Sequence, residues 1–412
     1  MKSLGNSFSK YFTSKKAILF FSFVGIYLLS TGASLAIFSY LKKEPNLTTA
    51  SPGGLEGSRS KISQLPKTEE CPINGLMFSK PEEEIWLERR PIVSVIENHL
   101  DARPQSGLSK ADLIYEVVAE GGITRFLSIF YCNSAAQDVR IGPIRSARIY
   151  LINWATEYGD SPLFVHVGGA NSICKTCPGG VKFRGDVAKE VLALEELIKL
   201  GWRYSSGNAL DAGANAGFPV VWRDYERIPG AATEHTYMGS TDKLYNLGIE
   251  RGFGYKNGDG KAWDENLIKW RFVDDKPLST PTATEISFEF WSNKPDYSVT
   301  WKYDSKNNTY LRFNADKPHI DMDTNVQLSA KNLVIQFVPE RGPVDKEGHM
   351  FYTTIGEGKI IVFQNGDVIQ GTWKKVSQTS RTKFFDEQGK EISFVRGVTW
   401  IEAVPKGNTI KY

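Results

Sequence analysis

The sequence predicts an α+β protein: an N-terminal transmembrane helix, a flexible tether, a mixed α+β domain and then a β-rich domain. Three observations carry this. Residues 17–41 run AILFFSFVGIYLLSTGASLAIFSYL without a charge, Asn or Gln. Residues 42–70 are rich in Pro, Gly, Ser, Thr and Lys and hold no aromatic residue. Beyond them, strand-like and helix-like runs mix as far as about residue 280, after which only strand-like runs recur.

At about 1.5 Å of rise per residue, residues 17–41 can cross a hydrocarbon core of about 30 Å as a helix. A cleaved signal peptide would carry a shorter apolar stretch followed by a small-residue cleavage site, whereas this one ends Phe-Ser-Tyr-Leu-Lys-Lys. The expected layout is therefore a cytoplasmic tail over 1–16, a signal anchor over 17–41 and a flexible linker over 42–70. Lys2, Lys10, Lys15 and Lys16 precede the span, and Lys42, Lys43, Arg59 and Lys61 follow it, so flanking charge leaves orientation nearly tied. Long domains translocate regardless of such charge, and the cysteines suit an oxidising compartment, so the body is expected outside the membrane. Cys174 and Cys177 can close a tight disulfide, leaving Cys71 and Cys132 as a second pair, although four cysteines allow three pairings.

The first domain is expected over 71–280. Its strand candidates are residues 91–96, 111–119, 124–130 and 163–167, with Gly121-Gly122 turning a hairpin between the second and third. Ala147, Tyr150, Leu151, Trp154, Ala155 and Tyr158 recur at helical spacing. A second helix is expected from an Asp186 cap to Gly201, and a third, short one from Ser240 or Thr241 to Leu247. The second domain, over 281–405, holds strand-like runs at 284–291, 299–303, 310–313, 333–338, 359–363, 368–373 and 392–404. Asn365-Gly366 and Gln388-Gly389 supply turn signals between neighbours.

These stretches resemble the YerB-like family of bacterial envelope proteins, typically two-domain lipoproteins of unassigned biochemical function. The matching text includes Ala102-Arg-Pro-Gln-Ser-Gly-Leu108, Glu120-Gly-Gly-Ile-Thr-Arg125, Gly142-Pro-Ile-Arg-Ser-Ala-Arg148 and His166-Val-Gly-Gly169. Val299-Thr-Trp-Lys-Tyr303, Gly371-Thr-Trp373 and Gly397-Val-Thr-Trp400 continue it, so that it covers residues 78 to 405. The resemblance implies fold and location and no reaction. Two departures stand out. A transmembrane anchor replaces the lipid-bearing cysteine, and the text around His235 reads Glu-His-Thr-Tyr where Pro-His-Asn is expected.

The candidate ligand-binding residues are Asn98, Arg103, Gln105, Glu116, Glu120, Arg125, Arg145, Ser146, Arg148 and His166. Guanidinium groups match carboxylates and phosphates in a bidentate way, and residues 145–148 fall at the expected first turn of a helix, where free N–H groups favour anions. The sharper reading is a pocket for an anionic cell-envelope polymer, or for an envelope protein. The plainer one is internal ion pairing with Asp112, Glu116 and Glu120. Glu116 and Glu120 also form a conceivable acid and base for an enzyme acting on wall polymers, and His166 a conceivable ligand-binding histidine. A spacer without any ligand is the third possibility.

With 50 Lys+Arg against 47 Asp+Glu, the formal charge of +3 gives no reason to expect nucleic acid as a partner. No Walker or Rossmann glycine pattern is present, so no cofactor is expected. No metal site is expected either. Residues 321–332 start like a calcium loop but carry Val326 and Asn332 where Gly and Glu belong. Trp301, Trp373 and Trp400, at strand spacing, suit a core better than a sugar-stacking face.

Overall fold

The computed structural model describes residues 59, 61–172 and 187–412, together with Ser22, Phe23 and Gly25, which are helical. Among the described residues, no helix is long and apolar enough to cross a membrane. The expected anchor over 17–41 lies, apart from those three residues, outside that range, as do the remainder of the tether before Arg59, Cys174, Cys177 and the Asp186 cap.

From residue 59 onward, the described residues form one compact, sheet-rich body built on a mixed ten-stranded sheet. In chain order its strands are β1 (Ile92–Glu97), β2 (Leu113–Glu120), β3 (Ile123–Phe130), β4 (Leu163–His166), β5 (Ala209–Asp211), β6 (Asn332–Val338), β7 (Gly356–Gln364), β8 (Asp367–Lys375), β9 (Lys383–Asp386) and β10 (Thr399–Pro405). In space they run β9-β8-β7-β6-β10-β2-β3-β1-β4-β5. The final strand β10 therefore lies between β6 and β2, parallel to both, with Glu402 opposite Glu116. A single sheet thus crosses the boundary expected near residue 280.

The local reasons are those the sequence offers. β2 and β3 pair antiparallel around Gly121 and Gly122, whose φ angles of 57° and 81° favour glycine. Asn365-Gly366 turns β7 into β8 with φ angles of 58° and 74°. β1, β2, β3 and β10 are almost wholly buried, and so read as near-continuous apolar runs with a few polar residues set into them. A five-stranded sheet from the C-terminal half, containing Val299–Asp304 and Thr309–Asn314, packs beside them. Trp301, Trp373 and Trp400 are all in the core, with Trp400 edge-on to both Trp301 and Phe126.

Helices flanking the sheets among the described residues include α1 (Lys80–Trp86), α2 (Ile149–Ala155), α3 (Ala193–Lys199) and α4 (Thr241–Glu250). Ser240 caps α4 by accepting from the Lys243 N–H, as its sequence position suggests. Three expectations are corrected. Lys67–Glu70, counted with the tether, is a strand paired with Met77–Ser79. The second long helix is shorter than its apolar stripe: Lys189–Val191 is a single 3-10 turn, and α3 begins only after Leu192 breaks it with ψ at 82°. Residues 145–148 precede α2 in an extended conformation, because the Arg145 N–H donates to the Val95 carbonyl and the Ala147 N–H to Gly168. Arg145 to Arg148 therefore lie before the first turn of α2 and not in it.

Cys71 and Cys132 form a disulfide, one of the pairings the sequence allows. It ties the segment before α1 to the chain just after β3. Asp112 supports the same corner by accepting from Asn74 Nδ2 and from the backbone N–H groups of Tyr131 and Asn133.

Candidate functional site

The ten predicted site residues do not make one pocket. They separate into a sealed network, a small cleft with a flanking ion pair, and one isolated histidine.

The sealed network holds Asn98, Arg103, Gln105 and Glu116. At its centre is Arg312, fully buried on the strand Thr309–Asn314. Arg312 pairs with Glu116 through Nη2 and donates from Nη1 to Asn314 Oδ1 at 2.6 Å and to His319 Nδ1 at 2.7 Å. An arginine only donates, so His319 Nδ1 accepts, and its Nε2 donates to Gln105 Oε1 at 2.7 Å. Gln105 passes its amide hydrogens to the Glu97 carbonyl and to Asn98 Oδ1. Burial and the neighbouring Arg312 hold His319 well below the ordinary histidine value, in agreement with this neutral tautomer. Asn98 and Thr124 donate to Glu116 Oε1 at 3.2 and 2.6 Å. Glu402, adjacent in register, is pushed well above the usual carboxyl range by burial and then by Glu116. Arg103 donates to Asn98 Oδ1 at 2.9 Å and to the Asp296 carbonyl at 2.9 Å, and lies over the Tyr297 ring. Burial and then Arg312 lower it to about 10.

The network is a cross-link between the two halves of the chain. Asn98, Gln105 and Glu116 are buried within it against protein partners, and Arg103 is half-buried at its edge. Glu116 pairs with Arg312, whereas Glu120 belongs to a different set of arginines, Arg125 and Arg148.

Glu120 accepts from Arg125 and, at 2.5 Å, from Arg148 Nη2. Burial raises its carboxyl, but the two arginines outweigh that and hold it at about 2. Arg125 also donates to the Ser146 carbonyl, and Arg148 to the Ala147 carbonyl. Two guanidinium groups share one carboxylate there. Beside it lies a polar cleft of about 170 Å³, lined by Ser146, Arg148, Gly169, Asn171, Glu347 and His349, among others. The Glu347 carboxylate among the lining residues offsets the remaining positive charge. His349 is fixed by its Nδ1 contact with Asp345 Oδ2 at 2.8 Å. Arg148 Nε is buried and meets no acceptor among the described residues.

Arg145 stands apart from the cleft. Its Nε lies 2.9 Å from Glu97 Oε1, while His235 Nδ1 lies 2.8 Å from Glu97 Oε2. His166 is fully buried, its Nδ1 donating to the Gly168 carbonyl at 2.7 Å, and burial lowers its pKa. It props the glycine turn and is not among the residues lining the cleft.

Sequence reasoning missed Arg312, His319, Glu402, Glu97 and His349. A signal for Arg312 existed: in Tyr310-Leu-Arg-Phe-Asn314 it occupies the same inward-facing register as buried Tyr310 and Asn314.

Two family models match the chain: the N-terminal domain of a protein of unknown function (DUF3048) over residues 78–188, and the corresponding C-terminal domain over residues 286–401. The chain belongs to this YerB-like family. "Putative lipoprotein YerB" of Bacillus subtilis (strain 168) is 29% identical over 350 residues, spanning 84% of this chain and 89% of that protein. The crystal structure of YerB from Bacillus subtilis matches with a TM-score of 0.62 at 26% identity, over 84% of this chain and all of that one. Arg312, on the C-terminal family domain, and Glu116, on the N-terminal one, join the two through the sealed network.

Proposed function

We propose that this YerB-like chain is a membrane-anchored extracytoplasmic envelope protein whose body binds an anionic envelope ligand at the Ser146–Arg148 cleft. The single observation carrying the binding site is the Arg148 side chain. Its guanidinium shares Glu120 with Arg125, its Nε has no acceptor among the described residues, and it borders a polar cleft. A buried charged donor without a partner is costly, and an anionic oxygen entering the cleft would relieve that cost. Location follows from the apolar stretch 17–41, the disulfide, and the lipoprotein name borne by the relative.

A scaffold without ligand is the second reading, favoured by the carboxylate partners of Arg125, Arg145 and Arg148. Thermal-shift titrations of the full chain with phosphate, muropeptides and teichoic-acid fragments separate the two. Binding to the native state at 100 times Kd adds about 2.7 kcal/mol of apparent stability. A shift in the wild type that Arg148→Ala abolishes supports the cleft. Unshifted wild type, or a shift that Arg148→Ala retains, leaves the scaffold reading.

A further inference from the structure

We propose that His99, Asp101 and His235 form a binding site for one zinc-type divalent ion, apart from the arginine cleft. One ligand atom from each residue lies within 4.8 Å of the other two. The two imidazole rings stack at 4.7 Å between centroids and 14° between planes, so binding requires the more exposed His99 ring to turn until the in-plane lone pairs of both rings converge. His99 Nδ1 and Asp101 Oδ2 are already 3.6 Å apart, close to the spacing of about 3.3 Å that two ligands about 2.05 Å from a tetrahedral zinc adopt.

The surroundings prepare the third ligand. Glu97 is a carboxylate and can only accept, so His235 Nδ1 donates to it at 2.8 Å, and the unshared pair of neutral His235 is on Nε2. A carboxylate behind a histidine is the usual outer-sphere arrangement at metal centres: it fixes the tautomer and raises the basicity of the ligating nitrogen. Glu97 is itself held by Arg145 at 2.9 Å, which keeps the carboxylate in place.

Access and freedom to adjust differ among the three in a useful way. The His235 side chain is 6% exposed and rigidly held, whereas those of His99 and Asp101 are 30% and 70% exposed. The two more exposed side chains can close a remaining gap of up to about 1.5 Å onto the buried one. The one local bond opposing this is long: the Asp101 N–H donates to His99 Nδ1 at 3.2 Å. Two imidazoles and a carboxylate suit zinc and its neighbours better than calcium or magnesium, and three protein ligands leave a coordination position open. Cys71, Asp112 and Cys132 also cluster, but their sulfurs are bonded to each other.

The test is a titration of the full chain, stripped of metal with a chelator, using Co2+ as a spectroscopic probe and Zn2+ as competitor. The wild type should take up one equivalent of Co2+ with a visible ligand-field band that Zn2+ displaces. His99→Ala and Asp101→Asn, both at exposed positions and checked for an unchanged urea midpoint, should each weaken uptake by about tenfold or more. Absence of stoichiometric uptake by the wild type, or uptake that survives either substitution, overturns the site. Phosphate binding at Arg148 is a separate readout, so the two proposals fail independently.

Discussion

Replacing Arg312 by Met tests whether the sealed network joins the two halves of the body. The substitution conserves much of the volume but leaves the Glu116 carboxylate buried without its cation, beside the buried Glu402 carboxyl. Removing one partner of a buried ion pair costs about 3–5 kcal/mol, and the hydrogen bonds lost at Asn314 and His319 keep the value from falling below that range. Against a total stability of about 5–15 kcal/mol this is a large fraction. With a urea m-value of about 3 kcal/mol per M, the midpoint should fall by about 1–1.7 M. Unfolding followed by tryptophan fluorescence and by circular dichroism should stay coincident, because the sheet is continuous through β10 and β2. Adding Glu116→Gln should restore part of the loss, since the stranded charge disappears, with a coupling of about 1 kcal/mol or more. A midpoint change below about 0.3 M, or a double variant as unstable as the summed singles, would refute the reasoning.

Other consequences are equally open to measurement. Glu120 sits at about 2 in the folded protein and near 4.5 when unfolded, so its contribution is complete above pH 4.5 and lost as pH falls from there to 2. The shift corresponds to about 3 kcal/mol, which partial exposure reduces to about 1–2, and Glu120→Gln should flatten that part of the acid limb in urea melts. Opening the Cys71–Cys132 bridge by Cys→Ser at both positions frees a loop with a sequence separation of 61; the chain-entropy estimate is a loss of about 4 kcal/mol, read as a lower urea midpoint. Protease added outside intact protoplasts should degrade the body, and protection until lysis would contradict the extracytoplasmic placement.

Much of the strand content was legible in the sequence because it rests on local signals. Alternating or continuous apolar runs, Gly121-Gly122 and Asn365-Gly366 marked the hairpins β2–β3 and β7–β8 without reference to the rest of the chain. What stayed hidden was long-range pairing. Nothing local in Thr-Trp-Ile-Glu-Ala-Val-Pro says that β10 inserts between β6 and β2, so the adjacency of Glu402 to Glu116 could not be foreseen. The same limit explains the site. Arg125, Ser146 and Arg148 were recognised as a group because they lie close in sequence and next to element ends. The partners of Gln105 and Glu116, His319 and Arg312, come from about 200 residues further along, so no local signal could set those two apart from the group. α3 was overextended because an apolar stripe does not reveal the turn at Leu192.

The most direct test of the proposed function is calorimetric titration of a teichoic-acid fragment into the full chain and into Ser146→Ala and Arg148→Ala. Ser146→Ala keeps the carbonyl that Arg125 uses, and Arg148→Ala keeps the Arg125–Glu120 pair, so both should fold. Saturable binding to the wild type, weakened by Ser146→Ala and lost in Arg148→Ala, is the predicted result. Absence of heat for the wild type, or equal affinity in all three proteins, would contradict an anion site in this cleft.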